Sequence, residues 1–298
     1  MATASTLRSP ASIRAHHETD SALPIGRIGY WLSGSLAVVG AIAAAATALV
    51  PGVLRGTAVM NGSARGTALV VLVIAVPALA IAMWFAARGS VRAQIVWLGA
   101  VGYILYNSTL FLFATPFNQL FLLYVAMMSL AIWSTAMVIR DVGIESFRER
   151  FSPSLPVRPI AVYLLAIVAL NFLAWMRNVV PGVLSTSSPS FLDGTGMPTS
   201  VLYVQDLGFW LPLMAVAAVW LWRRQAWGYV GVGVLMVMYE IEAIGVAVDQ
   251  WMGSAADPAS TVASSAAVPM FAAIFLIGLV PLAFYFRNLK GGPTTARS

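Results

Sequence analysis

The chain has 298 residues, of which 60% are hydrophobic and only 9% charged; mean hydropathy is +0.85 and the formal net charge is +6. An average globular chain is about a quarter charged, so these charges cannot coat a soluble domain of this size, and a disordered chain needs far lower hydrophobicity. There is no cysteine, and the two histidines, His16 and His17, sit in the polar N-terminal tail, which excludes disulfides, iron–sulfur clusters, thiolate metal sites and histidine-ligated core metals; no cofactor is expected.

In chain order, residues 1–27 read as a flexible cytoplasmic tail, too polar for a secretory signal peptide. Eight apolar segments follow: Ile28–Val50, Thr67–Ala87, Ala93–Phe113, Asn118–Ile139, Pro159–Met176, Val201–Trp222, Gly228–Val248 and Ala267–Phe286. Each reaches about the 20 residues that a bilayer-spanning helix needs, and the runs are too long and too continuous for barrel strands. The expected architecture is all-α, a polytopic bundle of eight spanning helices. Residues 28–139 form one four-helix unit, 140–158 a cytoplasmic linker with a short surface amphipathic helix, 159–287 a second four-helix unit, and 288–298 a cytoplasmic tail.

Lys and Arg placement sets the orientation. Fourteen of the cations fall on the side of the two tails, and Arg55, Arg65 and Arg177 fall on the other. Both termini are therefore expected in the cytoplasm. Scattered over short loops, the cations do not form a nucleic-acid surface. Tyr30, Trp31, Trp84, Trp97, Trp175, Trp222, Trp227, Trp251 and Tyr285 lie near the expected interfaces and read as aromatic anchors.

The two units share an order of features. Pro51-Gly52-Val53-Leu54 follows the first helix and Pro181-Gly182-Val183-Leu184 the fifth; Pro77 lies in the second helix and Pro212 in the sixth; Tyr106-Asn107 lies in the third and Tyr239-Glu240 in the seventh. A unit of four helices returns the chain to its starting side, so the expected relation is a parallel four-plus-four repeat about an axis along the membrane normal.

Three acids interrupt the apolar segments: Asp206 in the sixth helix, and Glu240 and Glu242 in the seventh. An ionisable group at membrane depth is costly and marks a candidate site. Asn171 in the fifth helix, Tyr103, Tyr106 and Asn107 in the third, and Tyr239 in the seventh fall at similar depth in the extracytoplasmic half. Tyr103, Tyr106 and Asn107 share one helix face. Tyr239, Glu242 and Asp249 form one stripe, while Glu240 points about 160° away from Glu242, so the seventh helix is expected to be enclosed on both sides. No Lys or Arg is expected at matching depth, which leaves a proton, water, a bound cation or neighbouring hydrogen-bond donors to satisfy the acids. Phosphate-cradling, zinc-hydrolase and serine-nucleophile motifs are absent.

Tyr106-Asn107, the run Phe117-Asn118-Gln119-Leu120-Phe121-Leu122-Leu123-Tyr124-Val125-Ala126, Gln205-Asp206-Leu207-Gly208, Pro212, Arg223-Arg224 and Trp227-Gly228-Tyr229 resemble an uncharacterised family of bacterial polytopic membrane proteins. The resemblance spans the third to eighth helices. It implies a bacterial inner-membrane setting, and it implies no activity, cofactor or site residue.

Three functions stand open at this point. One is a small-solute or ion-coupled secondary transporter using the polar cluster, with a small solute or cation as ligand and the lipid bilayer around it. The second is an accessory or assembly subunit whose polar groups meet a membrane-protein partner. The third is a membrane-embedded enzyme acting on a lipid-like substrate, with Asp206 and Glu242 as acid and base.

Overall fold

A computed structural model describes residues 25–290; the expectations for His16, His17 and the outer parts of both tails lie outside the described residues. Among the described residues, eight helices are long and apolar enough to cross a membrane: α1 (Arg27–Leu49), α2 (Ala58–Ala86), α3 (Val91–Phe113), α4 (Phe121–Asp141), α5 (Val157–Leu184), α6 (Val201–Trp222), α7 (Ala226–Ala256) and α8 (Ala267–Asn288). The chain is a multi-pass integral membrane protein. Helices are what a bilayer permits, because they satisfy every backbone donor and acceptor internally.

The start of α1 meets the end of α4 where the Gly26 N–H donates to Asp141 Oδ2 at 2.8 Å. Arg92, at the start of α3, donates to the Leu289 carbonyl just after α8 at 2.8 Å. Phe151 bridges to the same residue. These ends share one face of the bundle, the proximal face; the opposite face is distal. The linker carries a short helix, Ile144–Glu149, whose Phe147 is buried.

The innermost helices are α3 and α7: 72% and 61% of their apolar stretches are buried against other helices, against 6% for α8. Small residues bring the centre together. A side chain at Gly99 of α3 would strike Val237 and the Val234 carbonyl of α7, and one at Gly62 or Gly66 of α2 would strike the α7 backbone at Met252 or Val248. Without a hydrophobic drive between helices in lipid, such close backbone approach supplies the packing energy. The outward faces stay apolar, as with Leu276, Ile277 and Val280 of α8.

Two helices share an irregularity. In α2 a π-turn runs over Val71–Ala75, closed by the Val76 N–H on the Val71 carbonyl. In α6 a π-turn runs over Asp206–Trp210, closed by the Leu211 N–H on the Asp206 carbonyl. Pro77 and Pro212 stand just beyond these turns, at the first positions of the following α-helical stretch. A proline inside a regular helix lacks a donor and collides with the carbonyl four residues back; the widened turn accommodates both defects. Both helices then end alike. The Ser90 N–H reaches back to Phe85 and the Gln225 N–H to Trp220, around Gly89 (φ 83°) and Arg224 (φ 55°). That is the Schellman closure, which needs a left-handed residue.

Several expectations need correction. Helix α2 begins nine residues before the predicted Thr67, because Ala58–Gly66 packs on α7 and so has no need of a lipid-facing apolar surface. Helix α5 runs eight residues past Met176, through Pro181. The two Pro-Gly-Val-Leu runs therefore differ in conformation: the first forms a turn with Gly52 at φ 75°, the second is helical. Trp97 and Tyr285 are not interfacial anchors. Both are fully buried; Trp97 Nε1 donates to Ser33 Oγ at 2.9 Å and Tyr285 Oη to the Tyr229 carbonyl at 2.7 Å.

Candidate functional site

The acids divide into three settings. Asp206 is only 6% exposed and is the first residue of the α6 π-turn. Its Oδ1 accepts from Tyr106 Oη of α3 at 3.0 Å, and its Oδ2 from Trp175 Nε1 of α5 at 3.0 Å. Both carboxyl oxygens thus have donors, and three helices are tied to one group. The π-turn's extra residue sets the angle at which Asp206 leaves α6. Trp175 is a hydrogen-bond donor to Asp206, well inside α5 and not the interfacial anchor that the sequence suggests.

Glu242 and Asp249 lie two turns apart on one face of α7. Glu242 Oε2 accepts from Asn107 Nδ2 of α3 at 3.3 Å; the same amide also donates to the Tyr103 carbonyl at 3.1 Å. Asp249 accepts from Gln250 Nε2 at 3.1 Å and from Thr67 Oγ1 of α2 at 3.4 Å. Both acids line a cavity of about 250 Å³ between the distal ends of α2, α3 and α7, roofed by residues of the α5–α6 connection and by Val262. Ser63 and Thr67 contribute hydroxyls, and Leu110, Phe111, Met60 and Met197 contribute apolar wall. Ser63, Thr67, Asp249 and Gln250 thus join the predicted cluster. Asp249 is enclosed because α7 continues to Ala256, beyond the predicted end at Val248.

Two phenols stand among these acids without a hydrogen-bond partner. Tyr103 is fully buried, its hydroxyl is unpaired, and it abuts Gly245, a floor residue of the cavity. The Tyr239 hydroxyl is likewise buried and unpaired, within electrostatic reach of Asp206 and Glu242.

Glu240 and Asn171 do not join. Glu240 leaves the opposite face of α7 toward Gly278 of α8 and Tyr163 of α5, and its Oε2 is buried without a partner. Asn171 Nδ2 closes on the Ile167 carbonyl of its own helix at 2.9 Å. Arg65 lies near the level of Asp249, two turns of α7 away from Glu242. The early start of α2 places it inside the span, next to Gly66, which abuts Asp249. It does not line the cavity, and its Nε has no partner.

The chain matches no family model, no curated protein and no solved structure.

Proposed function

We propose that this protein is a small-solute or ion-coupled secondary transporter of a bacterial inner membrane, with both termini cytoplasmic and the distal cavity facing outward. The observation that carries the reading is the cavity with Glu242 and Asp249 in its wall. Charged residues inside a span are retained where they serve a solute or ion path, and pockets of this kind form between helices of a bundle. The Lys and Arg distribution supports the orientation.

The same proposal includes a parallel duplication, which matching intervals along the chain support. The π-turns begin at 71 and 206, the prolines stand at 77 and 212, and the left-handed residues at 89 and 224. All three intervals equal the 135 positions between Asn107 and Glu242. In this register Asn107 corresponds to Glu242, in place of the pairing of Tyr106-Asn107 with Tyr239-Glu240. Corresponding residues that touch lie on the axis of such a repeat, which this proposal puts between α3 and α7.

The test is flux. Purified protein in proteoliposomes is loaded with a pH-sensitive dye and challenged with candidate solutes under an imposed proton or sodium gradient. Solute-dependent movement that Glu242→Gln abolishes supports the proposal; its absence across amines, amino acids, sugars and organic anions refutes it. A second reading, an accessory subunit, draws on the open face of α8. It predicts stable co-purification with another membrane protein, weakened by Leu276→Trp on that face.

A further inference from the structure

We infer that the distal cavity takes a small organic cation, an ammonium group carried on an apolar body; the inference rests on the cavity assigned above and names its ligand class. The charge balance is one-sided. Glu242 and Asp249 are the ionisable carboxyls of the wall, and among the described residues no Lys, Arg or His lines it. An entering ammonium supplies the counter-charge, which an anion or a neutral solute cannot do.

The remaining hydrogen-bonding capacity has the same sense. Glu242 has a single side-chain donor, Asn107, on one oxygen. The fully buried Tyr103 hydroxyl stands unpaired behind Gly245 of the floor, outside the lining itself. The Ser63 and Thr67 hydroxyls already donate toward Asp249, so they present lone pairs.

Size and lining separate an organic cation from a metal ion. A hard cation is held by a close shell of about six oxygens. Here the space is about 250 Å³, and much of its wall is Met60, Leu110, Phe111, Met197 and Val246. These side chains suit a hydrocarbon body, and the rings of Phe111 and Tyr203 line the same space.

The test is calorimetric titration of the full-length protein in neutral detergent with three probes built on one phenyl ring: benzylammonium, benzyl alcohol and benzenesulfonate. Saturable binding of the cation alone is expected, weakened by at least about tenfold in Glu242→Gln and in Asp249→Asn. Equal binding of the alcohol or the sulfonate overturns the inference. So does heat from sodium chloride with none from the organic cation, and so does unchanged affinity in both amide variants. The wild-type contrast between probes needs no variant to fold. Cation binding without vesicle uptake overturns transport and leaves this inference standing; uptake of anions or neutral solutes without cation binding does the reverse.

Discussion

Asn107 Nδ2 and Glu242 Oε2 meet at 3.3 Å across the contact between α3 and α7. The pair joins the two innermost helices and places one carboxyl oxygen of Glu242 on a fixed donor. Glu242→Gln keeps the shape and an acceptor oxygen, so thermal unfolding in detergent is expected to shift little. Glu242→Leu leaves the buried Asn107 amide short of an acceptor and is expected to cost about 1–3 kcal/mol. Equal stability of the Leu and Gln variants would show that the pair contributes nothing to the fold.

Asp206 is predicted to be structural first. Its two donors come from different helices, so Asp206→Ala strands both Tyr106 and Trp175 and is expected to destabilise by about 2–4 kcal/mol. A double-mutant cycle of Asp206→Ala with Trp175→Phe should return a coupling energy of about 0.5–3 kcal/mol. Additive effects would argue that the Trp175 bond carries no energy.

The turn after α6 makes an opposite prediction. Arg224 holds φ 55° where the matching turn after α2 has Gly89. A non-glycine residue in the left-handed region carries about 1 kcal/mol of strain. Arg224→Gly is expected to raise the unfolding midpoint slightly, and Gly89→Ala to lower it. Thermal melts of the two variants read the sign directly.

Close packing of α2 on α7 gives a fourth prediction. A side chain at Gly62 meets the Met252 carbonyl and Ala256, so Gly62→Val must part the helices, with an expected loss of about 1–3 kcal/mol. Because that stretch of α2 also walls the cavity, the same variant should weaken ligand binding. A stable, fully binding Gly62→Val protein would contradict the observed contact.

Orientation supplies the fifth. A reporter that matures only outside the cytoplasm, fused after Lys290, is expected to stay silent, and one inserted near Ser188 to give signal. The reversed pattern would place the cavity on the cytoplasmic side.

What the sequence displays is governed by which surface each residue meets. Helix α6 was legible to its last residue, since an apolar run lies between Ser200, whose hydroxyl accepts from the Tyr203 N–H, and Arg223-Arg224. The first nine residues of α2 were not, because a helix that packs on another helix may be small and polar, and hydropathy reports lipid contact alone. The stripe of Glu242 and Asp249 followed from helical period, and so did the divergence of Glu240. The bond from Trp175 to Asp206 spans 31 positions and depends on how α5 and α6 lean together. Likewise, nothing local to Trp97 shows that Ser33 waits for it across the bundle. The π-turns left only their prolines as a trace.

The π-turn at Asp206 has an evolutionary consequence. It holds one residue more than a regular turn, so deleting a single residue there restores α-helical hydrogen bonding. That deletion swings everything on its distal side by about 100° and draws it in by about 1.5 Å. The segment so moved is Val201–Gln205, which brings Leu202 and Tyr203 to the cavity wall. A one-residue insertion or deletion, in a helix whose proximal end stays anchored, is therefore enough to exchange the wall and with it the ligands admitted. Descendants of this fold can diversify in selectivity by length as readily as by substitution.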